Sequence, residues 1–192
     1  PLIVPSLLSN VLFSYDNSTN FLLEGTINSV GSLFKWLEGF IDVTHEEMNW
    51  DKQCGTETDG IVVPGLNGIS APYWTGEFET QFFKLDKKSD PNKIVRAGME
   101  SIGFLVHDIC KVIKKEAKIE LSDIVASGGS SRSSLLQFIA DMLGTDVATT
   151  SGKDMTALGV ARLVAHSAFG IPLGSIMERD EKFHPVMTAK MR

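Results

Sequence analysis

Ser127-Gly128-Gly129-Ser130-Ser131-Arg132-Ser133-Ser134 decides how this chain is read. Ile124-Val125-Ala126 leads into it, and Leu135-Leu136-Gln137-Phe138-Ile139-Ala140-Asp141-Met142-Leu143 leads out with apolar residues at helical spacing. The order is strand, glycine turn, helix. Adjacent glycines let the backbone turn sharply and let another group approach with no Cβ in the way. The free N–H groups and positive dipole end of the next helix then face whatever arrives, an anion or a polar edge. The same residues also suit a ligand-free connection with a serine N-cap, and on local sequence the two readings weigh equally.

Two phosphate-binding motifs are excluded by spacing. A dinucleotide fingerprint needs G-x-G-x-x-G, and here the glycines are adjacent with none three residues on. A P-loop needs G-x-x-x-x-G-K-[ST]; Gly152-Lys153 is followed by Asp154, and Val147 stands where the first glycine belongs.

Downstream of the turn, Gly144 ends the helix expected over 132–143. Asp146-Val147-Ala148 is a short strand, and a helix over 154–168 ends at Gly170. The tail from Ile171 to Arg192 mixes charges with Pro172 and Pro185 and is expected to be loosely ordered. Upstream lies a strand over 122–126, preceded by a helix from about Pro91 to Lys115 that starts at Ser89-Asp90-Pro91. Its buried stripe is Ile94, Met99, Ile102, Leu105, Val106, Ile109 and Ile113. His107 and Asp108 are adjacent on it, point to different faces and make no catalytic pair.

Further upstream, Ile61-Val62-Val63 is a short buried strand running into a stiff Gly- and Pro-rich loop, 64–74, with another strand over 80–85. Residues 42–60 are polar and irregular; His45-Glu46-Glu47 lacks the second His of H-E-x-x-H, because Asn49 stands there, and reads as surface. A helix over 27–37 carries Ile27, Val30, Phe34 and Leu37 on one face. Gly31 inside it means either a helix–helix contact or room for another body to pack close. Segments 7–15 and 20–24 form a hairpin around a four-residue turn, Asp16-Asn17-Ser18-Thr19. The sum is α/β with a mixed sheet.

Composition bounds the function. The 192 residues, 43% of them apolar, fit one globular domain with a substantial core. A net charge of −6 with dispersed lysines disfavours nucleic acid as a partner. No apolar run reaches the ~18 residues of a membrane span. Pro1-Leu2-Ile3-Val4 is no signal peptide, and a start without Met reads as a fragment or a processed product. Cys54 and Cys110 lie far apart and form no metal-type pair, so reduced thiols in the cytoplasm are expected, and no metal site. Asn17-Ser18-Thr19 is a formal sequon that reads as turn chemistry.

Taken in order, the motifs resemble the C-terminal domain of the FGGY carbohydrate kinases, nearest that family's glycerol-phosphorylating branch. The resembling pieces are Phe21-Leu22-Leu23-Glu24-Gly25-Thr26-Ile27 with Gly31 and Trp36-Leu37, and Val63-Pro64-Gly65-Leu66-Asn67-Gly68-Ile69-Ser70-Ala71-Pro72-Tyr73-Trp74. They continue with Arg96-Ala97, Glu100-Ser101-Ile102, Gly128-Gly129 with Ser133 and Gln137, Ala140-Asp141-Met142-Leu143-Gly144, and Thr156-Ala157-Leu158-Gly159-Val160-Ala161. They span residues 6–187 at compatible spacing.

The resemblance implies an actin-like ATPase (ribonuclease H-like) fold, a mixed sheet flanked by helices, with residues 1–192 as the nucleotide-binding C-terminal domain of a two-domain kinase. It implies ATP and Mg²⁺ as cofactors, ATP or ADP as ligand, and a polyol or sugar acceptor, with glycerol first. It places Gly128 and Gly129 against the adenosine, Gly31 where the nucleotide approaches, and Lys35 and Ser133 where relatives commonly carry Gln and Asn. It puts no catalytic residue in this chain: the base, an Asp, and the polyol-gripping residues are expected upstream of Pro1, so the chain alone is expected to be inactive. A pentulose kinase such as a xylulokinase and a non-enzymatic actin-like interaction or sensing module are the alternatives. No membrane partner is expected, and self-association is left open.

Overall fold

The computed structural model describes residues 2–28, 30–150, 152, 154–173 and 178–190. One helix organises them. Helix α3, Pro91–Val112, starts where the Asp90 side chain accepts a hydrogen bond from the Asn92 N–H (2.9 Å) and Pro91 supplies a ready-made first turn. It buries Ile94, Val95, Ala97, Met99 and Ile102. Helices α1 (Val30–Phe40), α2 (Trp50–Gln53) and α4 (Ser133–Leu143) and strand β3 (Ile61–Val63) all pack on it. Beyond Val112 the chain widens into a π-helical turn, Ile113–Ala117, so the helix expected to reach Lys115 changes form before its end.

The motif Arg96…Glu100 turns out to be a tie. Arg96 Nε donates to Glu100 Oε1 at 2.5 Å and Nη1 donates to the Cys54 carbonyl at 2.8 Å, joining α3 to the end of α2. Burial pushes the Glu100 carboxyl above its ordinary value, with Arg96 pulling the other way. Cys54 is buried beside them, and desolvation pushes its thiol up to about 12, so it is neutral and inert at neutral pH.

Strand β5 (Ile124–Ala126), α4 and β6 (Val147–Thr150) make a parallel crossover, with Ile124 opposite Val147 and Ala126 opposite Thr149. Strand β7 (Arg179–Phe183) joins β6 antiparallel, so this three-stranded sheet is mixed, and the α/β expectation holds. The other strands form two separate hairpins, β1 (Leu8–Tyr15) with β2 (Ser18–Glu24) and β3 with β4 (Gln81–Phe83).

Several expectations are corrected. The β1–β2 turn has two residues, not four: Asp16 and Asn17 both take positive φ (47° and 59°), and Ser18 and Thr19 pair as strand with Tyr15 and Ser14. Asp and Asn tolerate that conformation, which the right-handed twist of a hairpin favours. Helix α1 starts at Val30, leaving Ile27 outside it. Segment 42–60 is not irregular throughout, since it contains α2, capped by Asn49 Oδ1, which accepts from the Lys52 N–H at 3.0 Å, and it buries Met48, Trp50 and Cys54, while His45-Glu46-Glu47 is exposed as expected.

The tail is ordered where it is described. Strand β7 buries Phe183, and the buried Asp141 carboxylate accepts from the N–H groups of Val186 (2.6 Å) and Met187 (3.0 Å). Its mixed charges hide an edge strand with a single inward residue. Residues 174–177 and 191–192 of that tail, and Lys153, lie outside the described residues. Helix α5 (Met155–Phe169) forms as expected, capped by Asp154, but none of its described residues is buried. No described helix is long and apolar enough to cross a membrane.

Candidate functional site

Gly128 takes φ +95°, a conformation that L side chains rarely adopt, and turns the chain out of β5. The Ser131 N–H then donates to the Gly128 carbonyl (3.1 Å) and the Arg132 N–H to that of Ser130 (2.9 Å). The residue flanking α4 is Arg132, not the serine of the ligand-free reading. Its carbonyl accepts from the Leu136 N–H at 2.9 Å, but its side chain makes no capping bond. The helix enters its first turn without a side-chain cap, where N–H groups and dipole favour an acceptor or anion.

At Gly128 and Gly129 a Cβ would meet no atom within 4 Å, and both residues are exposed. Among the described residues no side chain plugs the corner. Gly31, in the first turn of α1, is equally open. Among the described residues none lies within 4 Å of a Cβ placed there, which speaks against the helix–helix reading of that glycine. Lys35 is exposed one turn further along α1, and Ser133 is exposed at the start of α4.

What joins the two helices is Arg132. Its guanidinium carbon lies 4.9 Å from the Phe34 ring centre and 4.7 Å from that of Trp50. Phe34 sits between Gly31 and Lys35 in sequence, so the Arg132 side chain reaches the same stretch of α1 that carries those two residues. The Ser134 hydroxyl also donates to Asp51 Oδ1, tying α4 to the α2 segment. Beside the corner lies an open polar pocket of about 510 Å³, lined by Glu47, Asn49, Asp51, Ser131, Arg132 and Ser133 among others.

Another pocket, about 430 Å³ between β3, the 64–78 loop and α3, is lined by Val62, Pro64, Ile69, Phe104 and Leu105. Its apolar lining suits neither phosphate nor polyol. Cys110 is a free thiol, its pKa raised by burial, away from either pocket's lining. The stiff loop is held by contacts: the Tyr73 hydroxyl donates to Asp108 Oδ2 at 2.7 Å and Trp74 Nε1 donates to the Ser6 carbonyl at 3.0 Å. His107 Nδ1 comes within 3.5 Å of Asp108 Oδ1, closer than the expected separate faces allow, yet that carboxylate serves the loop.

Arg132, Phe34, Trp50 and Asp51 are the site neighbours that sequence reasoning did not single out. The signal was present in part: one arginine in a run of serines, three residues after a double glycine.

The profile of the FGGY family of carbohydrate kinases, C-terminal domain, matches residues 3–168. Glycerol kinase of Natranaerobius thermophilus is 30% identical over 194 residues, covering 97% of this chain and 39% of that protein. Glycerol kinase of Limosilactobacillus reuteri is 31% identical over 161 residues, covering 82% of this chain and 32% of that protein. The chain therefore spans less than two fifths of the length of these relatives. Among solved structures, Plasmodium falciparum glycerol kinase with ADP superposes with a TM-score of 0.78 at 26% identity, over 96% of this chain and 38% of that one. The ligand-bound xylulose kinase of Lactobacillus acidophilus superposes with a TM-score of 0.79 at 22% identity, over 96% of this chain and 39% of that one, and speaks for the fold alone.

Proposed function

The chain belongs to the FGGY family of carbohydrate kinases as that family's C-terminal domain, and on that premise we propose that its 192 residues form the nucleotide-binding half of an ATP-dependent kinase that phosphorylates a polyol or sugar. Glycerol is the acceptor favoured, because relatives at 30% and 31% identity are glycerol kinases. The observation that carries the nucleotide assignment is the open corner: Gly128, Gly129 and Gly31 all lack a neighbour where a side chain would stand. A flat purine needs such a surface, and an arrangement filled by the protein itself would have no room for one.

In this reading the backbone at Gly128 and Gly129 lies along the adenosine, and Gly31 lets it come close to α1. Lys35 and Ser133 offer a cation and a hydroxyl at the rim, and the uncapped first turn of α4 adds N–H donors. ATP would supply the γ-phosphoryl group, which passes to an oriented hydroxyl as ADP leaves, and Mg²⁺ would neutralise the phosphates. This chain's share is to bind and orient the donor. No residue of it is assigned to Mg²⁺ or to the base that receives the acceptor proton. A cytoplasmic location belongs to the same proposal, since the donor is ATP.

The test offers ATP with glycerol, xylulose or gluconate to the full natural polypeptide that carries this sequence, and follows ADP and phosphorylated product. ATP-dependent formation of glycerol phosphate is expected, with the other acceptors slower. Turnover of xylulose in preference to glycerol would move the protein to the pentulose branch, and turnover of none would overturn the kinase reading.

A further inference from the structure

The corner contains two glycines followed by serines, a composition that leaves a chain free to move. Something must hold it if a ligand is to meet one fixed surface. Arg132 is three residues from Gly129 and immediately precedes α4. Its side chain caps nothing, and among the described residues no hydrogen-bond partner meets its buried Nε. Instead the guanidinium lies against the faces of Phe34 and Trp50, at 4.9 and 4.7 Å from the ring centres. Those rings already pack on each other at 4.5 Å and are themselves buried. The arginine therefore lies over an aromatic pair whose two rings already contact each other.

We infer that Arg132 is a positioning residue for the nucleotide corner. Held on Phe34 of α1 and Trp50 of α2, it fixes the start of α4, and with it Gly128-Gly129, relative to α1. The surface the nucleotide meets is set before binding. A long, rotamer-rich side chain is ordered during folding and not at the binding step, which is how preorganisation raises affinity. The planar guanidinium suits this better than an ammonium because it can lie flat on a ring while keeping its charge. Ser134, through its hydroxyl bond to Asp51, fastens the next residue but one to the same segment.

This inference rests on the nucleotide reading above, and one experiment separates the two. ADP is titrated into the full natural polypeptide and its Arg132→Ala, Arg132→Met and Arg132→Lys variants, and the apparent KM for ATP and for the acceptor is measured in each. Arg132→Ala and Arg132→Met are expected to weaken ADP binding about tenfold and raise the KM for ATP by a similar factor. The acceptor KM is expected to stay within about twofold, and Arg132→Lys to recover only part of the loss, because it restores the cation but not the flat stacking. ADP affinity within twofold of wild type in Arg132→Ala overturns the inference. So does a rise of both KM values together with a lowered Tm, which would mean a merely structural role. If the alanine variant fails to fold, the comparison of Arg132→Met with Arg132→Lys decides alone. A wild type that binds no ADP overturns the nucleotide reading itself, and this inference with it.

Discussion

A Cβ built at Gly103 would stand 2.7 Å from Phe138 Cε1, and one at Gly98 2.8 Å from Leu37 Cδ2, whereas at Gly31, Gly128 and Gly129 it would meet nothing within 4 Å. In the α3 spine the missing side chains are space the fold has used, so that α1 and α4 can press against the helix. At the corner before α4 the same absence is space the fold has left. Removal or enlargement of groups in the spine should therefore be read in stability, and changes at the corner in binding. The same contrast runs through the charged residues. Arg96 is enclosed and hydrogen-bonded to the Glu100 carboxylate and the Cys54 carbonyl, while Arg132 lies on ring faces at the edge of an open pocket.

Arg96→Ala should show the largest loss of stability. It strands a partly buried carboxylate and a backbone carbonyl, at a cost of about 2–3 kcal/mol, because breaking such a pair from one side leaves the other group unpaired. A fall in Tm of roughly 5–10 °C follows for a domain of this size. A change under about 1 °C would mean the tie between α3 and α2 carries nothing. Gly103→Val comes next. Overpacking against Phe138 should cost about 1–3 kcal/mol by urea unfolding, with ADP affinity of the remaining folded protein unchanged. Loss of affinity before loss of fold would erase the distinction between the two regions.

The sequence showed the corner and hid its support. Residues 124–143 announced strand, turn and helix because the glycines, the apolar run and the helical stripe all agreed. Trp50 and Met48 could not be recognised as core because each stands alone in a polar segment, and burial there is decided by contact with α3 and α4 rather than by any local period. Strand β7 was hidden for a related reason: an edge strand with one buried residue, Phe183, has no alternation to read, and its order comes from pairing with β6 and from Asp141 forty-five residues away from Val186. The open state of Gly31 was equally invisible, since a glycine in a helical pattern looks the same whether its neighbour is present or absent.

Smaller effects sharpen the contrast. Tyr73→Phe removes the bond to Asp108 at a half-exposed site and should cost at most about 1 kcal/mol; a larger loss in urea unfolding would move the 64–74 loop into the spine. Glu100 gives a pH signature. Burial raises its folded pKa above the ordinary carboxylate value, so the folded chain holds this proton more tightly than the unfolded chain. The group's contribution is then fully present below the ordinary carboxylate value and declines as pH rises through the raised one. Glu100→Gln should remove that decline, so that its urea midpoint falls less than that of wild type from pH 4 upward; parallel curves would contradict the assignment.

Gly129→Asp should have the smallest effect on stability and the most direct bearing on the account. Gly129 is outside the positive-φ region that Gly128 occupies, and its missing side chain would point into open space, so the protein should fold as before. Titration of ADP into the wild type and into this variant, with Tm recorded on the same samples, tests the claim that the open corner receives the nucleotide. The account predicts a Tm within about 1 °C of wild type and ADP binding weakened by at least about tenfold, as a fixed carboxylate fills and repels the place of the adenosine diphosphate. Equal ADP affinity in two equally stable proteins would contradict it.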